Sequence, residues 1–573
     1  MNTNKQEENR DMTRKPAAIL TFTLSVMILL ASQGCGLAPD NQETGAVEPT
    51  LLTLKASSRY LNLPVTDSAP ATHIKVSADS QVIDEFDLHL SENNPDYYVF
   101  LDLENYKDKG IHVDIPELSV NSQGPDNIKI SDRITGSEEL YQEPLRQQFH
   151  FSSRRGWNND PNGLVYLDGE YHLYYQHNPY GWPWGNMHWG HAVSTDLVHW
   201  KELPIALYPA KFGDWAFSGS AIIDADNLSG FQSGDNPVMV GAYTSTGRGE
   251  AIIYSNDKGR TFSEYQGNPV IEHKGRDPKL IWYSPGKHWV SAVYHEENDK
   301  KWIAFYTSPN LKVWTFQSKV EGFFECPELF EIKVEGSQQK KWVLYGADGS
   351  YMVGTFDGKE FKPETKKTTF QYGDLFYASQ TYNNIPAEDG RRIQVAWGRT
   401  DSPGMPFNQC MLFPVSLTLR KTGEEYRLLP APVREINKLH QEPINMSGQE
   451  LETGFYPAPV PLGETIHMKA EWEQTEKSRV ALTVAGFELQ IDTADRTVTF
   501  GEKTAPLPGS GGNISLEILV DRLSLEVFIN EGEVYMPLYL SPEKRSNEYA
   551  IHVKEGSVYL DNLTVWPLDS IWK

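Results

Sequence analysis

Three cysteines in 573 residues, Cys35, Cys326 and Cys410, are too few for a disulfide framework, so the fold cannot depend on one. Basic residues are also in deficit. Lysine and arginine number 52 against 77 aspartates and glutamates, a formal charge of −25, and no long basic block interrupts the excess. That balance argues against nucleic acid and other polyanions as partners, although acidity alone names no substrate. No glycine-rich loop suited to cradling phosphate is present, and Gly509 to Gly512 reads as a turn between strands. His188 and His191 have ligand-like spacing but sit in a Trp-Gly context with strand patterns on both sides, so neither a metal nor any cofactor is expected. Helical periodicity is almost absent between residues 140 and 440.

What remains is a long, aromatic, strand-rich chain. Aromatics make up 12% of it, with 15 Trp and 28 Tyr. Most fit sheet cores, but many stand in polar, glycine-rich surroundings where a ring could stack on the apolar face of a sugar. The length predicts several units unless a repeat absorbs much of it. Residues 1–35 read as a bacterial lipoprotein signal. Arg14 and Lys15 precede an uncharged, mostly apolar run from Ala17 to Ala31, then Ser32-Gln33-Gly34-Cys35. The run is short for a membrane span, and small residues before a cysteine fit cleavage and lipidation of Cys35, giving an exported protein tied to the cell envelope. Ser32 stands where leucine is usual, and an uncleaved anchor or plain secretion are the alternatives. The polar stretch before Met12 reads as a start-site artefact.

Residues 36–50 are polar, with Pro39, Gly45 and Pro49, and read as a flexible tether. Short alternating segments such as Ile74-Lys75-Val76 and Tyr97 to Leu101 predict a small β module over 51–134. A loose repeat follows: a strand-like run, then Ser or Thr, a polar turn and an aromatic. Its four copies are Ala192–Asp196 leading to Trp200, Ile253–Asp257 to Phe262, Phe305–Asn310 to Trp314, and Val353–Asp357 to Phe361. Copies about fifty residues apart match the length of a four-stranded propeller blade. With the strands at Leu164–Gln176 and Arg392–Trp397, about five blades fit, giving a β-propeller over 140–437. Such a fold gathers loops from every blade at one mouth of a channel, where acids distant in sequence can meet. Long alternating strands past Asn437, such as Thr465–Ala470 and Leu523–Ile529 with a turn at Asn530-Glu531-Gly532, predict a β-sandwich over 448–573. The fold class expected is therefore all-β.

Three motifs place a carboxylate beside Pro, Asn, Arg or Cys instead of in a charge run: Trp157-Asn158-Asn159-Asp160-Pro161-Asn162-Gly163, Arg276-Asp277-Pro278 and Glu325-Cys326-Pro327. Each alone is compatible with an ordinary turn. Together with Gln176-His177-Asn178-Pro179, Trp189-Gly190-His191-Ala192, Phe217-Ser218-Gly219-Ser220, Tyr377-Ala378-Ser379-Gln380-Thr381, Trp397-Gly398 and Glu526–Asn530, they make the chain from about Gln148 onward resemble glycoside hydrolase family 32, the invertases, levanases and inulinases. That family joins a five-bladed propeller to a C-terminal sandwich. The first motif matches its pattern except that Asn158 replaces methionine, a change expected to affect packing near the pocket.

The resemblance implies Asp160 as nucleophile, Asp277 as transition-state stabiliser and Glu325 as acid/base, with Asn159, Gln176, Trp184, Ser218, Arg276 and Trp397 holding a terminal fructose. Trp182 and Trp189 rival Trp184 in the same loop. The residue types suit cleavage of a ketoside, whose anomeric carbon becomes oxocarbenium-like and must meet a carboxylate. Glu325 has to donate a proton to the leaving oxygen and then act as a base toward water, which asks for a partly enclosed setting. Cys326 reads as a packing neighbour, not a nucleophile. The expected activity is an exo-acting, retaining β-fructosidase on fructan (levan or inulin) or sucrose. The alternatives are an endo-acting levanase, an inverting arabinan hydrolase on a similar propeller, a fructan-building transferase, and a surface glycan-binding protein that has lost catalysis.

Overall fold

The computed structural model describes residues 47–119, 122–272, 274–458, 465–474, 477–508 and 513–572. The signal, Cys35 and most of the expected tether lie outside these residues, as does the turn at 509–512. Where the tether was expected to end, the structure differs: a strand runs over Val47–Lys55, pairing with Gly110–Ser119, so the N-terminal module begins before residue 51. Pro49 does not break it, because Val47–Lys55 is an edge strand and its register shifts between Glu48 and Thr50, where a missing N–H is tolerated.

The module is two small sheets. Val47–Lys55, Gly110–Ser119, Thr72–Ala78 and Gln81–Leu88 form one in that order, and Tyr97–Asp102, Tyr60–Val65 and Lys129–Ser131 form the other. Alternating Ile74 and Val76 and the facing Leu61, Leu63, Val99 and Leu101 bury between them.

Five four-stranded meanders then follow, with short additional strands on some. Their innermost strands are Gly156–Leu167, Ala216–Asp224, Gly275–Tyr283, Glu328–Lys333 and Phe376–Thr381, which define blades I to V in chain order. Each innermost strand lies beside that of the next blade, and blade V returns to blade I. The ring closes with Phe407–Asn408, which pairs in parallel with Gly156 and Trp157. The repeat seen in the sequence is the hairpin between third and fourth strands of blades I to IV. In each, an Asx side chain accepts backbone N–H groups after the turn: Asp196 from Val198 and His199, Asp257 from Arg260 and Thr261, Asn310 from Lys312 and Val313, and Asp357 from Lys359 and Glu360.

Inner edges of blades face a narrow channel, where their unpaired backbone groups need partners. Polar side chains of neighbouring blades supply them. Gln380 donates to the Gly219 carbonyl, Asn383 to those of Ala221 and Leu280, and Ser220 bridges Pro278 O and Leu280 N. At the centre Lys279 Nζ lies 2.7 Å from Glu328 Oε1, both almost wholly buried, and Glu328 also accepts from Thr381 N and Oγ1.

The C-terminal unit is a sandwich of two six-stranded sheets. Its core comes from alternation such as Ile466, Met468, Ala470 and Trp472 packing on Leu482 and Leu489. The sandwich is tied to the propeller through His150, whose ring lies 2.8 Å from Asp521 Oδ2 and 2.9 Å from Glu526 Oε1, all three fully buried.

Candidate active site

The candidate residues cluster because the innermost strands are irregular at the same end. The register slips between Asn158 and Pro161 in blade I, Ala216 and Gly219 in blade II, Arg276 and Lys279 in blade III, and Tyr377 and Gln380 in blade V. Those bulges span Asn159-Asp160, Phe217-Ser218, Asp277-Pro278 and Ala378-Ser379, and a bulge re-aims a side chain that regular alternation would place elsewhere. In blade IV, Glu325 and Cys326 immediately precede the innermost strand. Asp277, Glu325, Cys326 and Ala378 all hold positive φ, at 63°, 46°, 39° and 47°. Four non-glycine residues in this sparsely populated region at one mouth mark a site where backbone strain is kept for geometry.

Asp160 accepts from Ser218 Oγ at 2.6 Å and from Asn159 Nδ2 at 3.0 Å, while Asn159 itself accepts from the Trp157 indole at 2.9 Å. Asp277 is held from both sides: its N–H donates to Thr244 Oγ1 and its Oδ2 accepts from the Cys326 N–H at 3.2 Å. Cys326 Sγ lies 3.4 Å from Asp160 Oδ2 and 3.7 Å from Asp277 Oδ2, so one buried thiol touches both carboxylates. It packs on Ala347 and Ala378 as expected and additionally lends its S–H to the acids. Glu325 accepts from Arg276 Nη2 at 2.5 Å and from Tyr377 Oη at 3.0 Å. Its side chain is 22% exposed, a partly enclosed setting. The Arg276 guanidinium also reaches Asp277 and lies over the Tyr294 ring.

Trp397 stands edge-on to Trp157 and Tyr377, both at 5.9 Å, and donates to Gln409, completing an aromatic wall beside the acids. Gln176 is 2% exposed and donates to the Ala216 carbonyl, tying blade I to blade II next to Ser218. Of the three rival tryptophans, Trp189 is fully buried in a core and Trp182 donates to Ser402 O, whereas Trp184 is 52% exposed at the rim, its ring against Phe217. Asn158 is buried behind the pocket, its Oδ1 at the limit of contact with Ser153. His188 and His191 are buried apart from the acids, His188 on Asp84 and the Asn186 carbonyl, His191 on His172. Tyr377 lies within a recognisable motif, but nothing in the sequence signals that its hydroxyl holds Glu325.

A model of the glycosyl hydrolases family 32 N-terminal domain matches residues 150–432, which cover all five blades, and a model of the family 32 C terminal matches 465–567. The chain belongs to glycosyl hydrolase family 32. A domain of unknown function, DUF4980, matches residues 47–142. Levanase of Bacillus subtilis strain 168 is 37% identical over 492 residues, covering 75% of this chain and 72% of that protein. The crystal structure of exo-inulinase from Aspergillus awamori superposes with a TM-score of 0.69 at 28% identity over 75% of this chain and 100% of that one. A fructofuranosidase from Schwanniomyces occidentalis, solved with fructose, gives 0.67 at 25% identity over 76% and 99%.

This family 32 member is thus a glycoside hydrolase, and its acids form one coupled system. Burial pushes the Asp160 carboxyl up; hydrogen bonds from Ser218 and Asn159 oppose that, and the charge of Glu325 adds to it. Burial pushes Asp277 up further, with Arg276 opposing and the two other acids reinforcing. Burial and the neighbouring carboxylates hold Cys326 as the neutral thiol. With Asp160 and Asp277 both buried beside a single guanidinium, their two carboxyl groups resist ionising together.

Proposed function

We propose that this hydrolase is an exo-acting β-fructosidase that removes terminal fructosyl units from levan, inulin or sucrose with retention of configuration. The observation that carries this reading is the convergence of Asp160, Asp277 and Glu325 around Cys326 and Arg276 at one mouth of the propeller.

Asp160, fixed by two donors, attacks the anomeric carbon while Glu325 protonates the leaving oxygen, giving a covalent fructosyl-enzyme. Glu325 then draws a proton from water, which hydrolyses that ester. Asp277 and Arg276 meet the ring hydroxyls, whose hydrogen bonds strengthen as charge develops. Asn159, Ser218 and Gln176 line or support the floor of the pocket, Trp397 walls the terminal fructose, and Trp184 at the rim meets the sugars beyond it. Endo-acting levanase action is the second reading, favoured by the exposure of Trp184 at an open rim.

Cys35 is proposed as a lipidation site that holds the enzyme on a membrane facing outside the cytoplasm. Replacing Cys35 by serine should abolish incorporation of labelled fatty acid and release the protein from membranes.

Protein lacking residues 1–35 should be incubated with each of the three substrates and its products resolved over time beside Asp160→Asn. Free fructose alone from levan or inulin from the outset, with equimolar glucose from sucrose, and fructose released first as the β-anomer by NMR, fits the proposal. An early ladder of oligosaccharides makes the enzyme endo-acting. Initial release of the α-anomer, or activity unchanged in Asp160→Asn, overturns the mechanism.

A further inference from the structure

The N-terminal module is not merely attached beside the propeller; it grips the loop that carries Trp182 and Trp184. This loop joins Glu170–Asn178 to His188–Ser194 in blade I. Tyr180 is fully buried, and it packs in the core of the module. Its ring stacks on Phe86 with centroids 3.6 Å apart and planes at 15°, and its hydroxyl donates to Asp84. The Tyr97 hydroxyl, on the module's second sheet, donates to Asp67. The Asn186 side chain pairs twice with the Asp87 backbone, accepting from its N–H at 3.0 Å and donating to its carbonyl at 2.8 Å. His188 Nε2 lies 3.2 Å from Asp84 Oδ2, closing the loop on the carboxylate that opens it.

These anchors have a common logic. Gln81–Leu88 is an edge strand of the module's sheet, with backbone groups left unpaired on one side. The amide of Asn186 satisfies those of Asp87 as a further strand would. The segment between the anchors contains Gly181, Pro183 and Gly185 and would gain conformational freedom if released. Its other face points to the chemistry. The Trp182 indole donates to Ser402 O, and Trp184 stands edge-on to Phe217 at 6.0 Å, one residue before the serine that holds Asp160.

We propose that the N-terminal module is a positioning element of the substrate site. Through Asp84, Phe86 and Asp87 it fixes the loop so that Trp182 and Trp184 form a preformed wall for the sugar units beyond the bond being cut. The inference rests on the fructan-hydrolase reading above. Preforming the wall removes the ordering cost from substrate binding, so the effect belongs to long substrates and to affinity. None of Asp84, Tyr180 and Asn186 is hydrogen-bonded to Asp160, Asp277 or Glu325, and so turnover of a short substrate is expected to be spared.

The test uses the protein without residues 1–35 and two variants, Tyr180→Phe, which keeps the stacked ring, and Asn186→Ala, which removes the edge cap. For each, kcat and KM are measured on sucrose and on long-chain levan and inulin, alongside the melting temperature. The expected result is a KM for the better fructan raised about tenfold, with kcat and the KM for sucrose within about twofold of the parent. Equal losses on sucrose and fructan, a fall in kcat without a change in KM, or unchanged fructan KM in both variants overturns the proposal. Fructan affinity is measured in parallel in an Asp160→Asn background, where the same anchors should control binding without turnover. If the parent releases fructose from none of the substrates, the hydrolase reading fails on its own. The binding arm then decides the positioning role: weakened fructan binding in Asn186→Ala supports it, and unchanged or undetectable binding rejects it.

Discussion

Arg276 and Glu325, contributed by successive blades, are joined at 2.5 Å, so the carboxylate proposed as the acid/base rests on a cation. Because Arg276 also reaches Asp277, one guanidinium sets the spacing of two acids. On the proposed mechanism, a substrate that displaces part of this contact would hand Glu325 over to the leaving oxygen.

Replacing Glu325 with glutamine should lower kcat on sucrose by about 10²–10⁴-fold, the usual contribution of a positioned acid/base. The loss should shrink for the first step on a fructosyl fluoride, whose leaving group needs no proton. The charge of Glu325 raises the Asp160 carboxyl, so the acidic limb of the pH–rate profile should also move to lower pH in this variant. Burst kinetics across a pH series measure both effects.

The tie between propeller and sandwich should weaken in alkali. Burial opposes a charge on His150, but Asp521 and Glu526 outweigh it and raise its pKa from 6.5 to about 9. A folded value above the unfolded one gives stability that is complete below about pH 6.5 and fades as pH rises through 9. The shift corresponds to ~3 kcal/mol as an order of magnitude. Urea unfolding at pH 6 and pH 9.5 should show a larger alkaline loss for the parent than for His150→Gln, which lacks the titrating ring.

Lys279→Met should cost ~3–5 kcal/mol, because Glu328 would then be a buried charge without its cation. Adding Glu328→Gln should recover more than half of that loss, since an amide oxygen can still accept from Thr381. Chemical denaturation of the single and double variants gives the coupling directly.

Cys326 should resist alkylation at pH 8 in the folded enzyme and react promptly in denaturant, because burial keeps it a thiol. Mass spectrometry after brief iodoacetamide treatment reads this out. Cys326→Ala should retain the fold but lower activity, since Asp160 and Asp277 would lose their shared neighbour.

Much of this was readable in the chain. The four copies of the strand, Asx turn and aromatic announced the blades because the turn chemistry is local: the aspartate or asparagine and the N–H groups it accepts lie two to four residues apart. Asp160, Asp277 and Glu325 stood out because proline, arginine or cysteine beside an acid breaks the pattern of an ordinary charged surface. The contribution of Tyr377 was hidden, since a tyrosine on a strand looks like core until its hydroxyl is seen on Glu325. Likewise the choice among Trp182, Trp184 and Trp189 depends on which ring the fold buries, a property of tertiary packing. The grip of the N-terminal module on Tyr180 could not be read from spacing, as Asp84 lies ninety-six residues away.

Immediately beneath the acids the channel is filled by Lys279, Glu328 and Thr381, each at most 2% exposed. A chain cannot be threaded through such a plug. On the exo reading, each freed fructose must leave by the opening that the shortened polymer also occupies. The remaining chain therefore has to back away before its next unit can enter, which makes the enzyme distributive: it should trim many chains a little rather than one chain to its end.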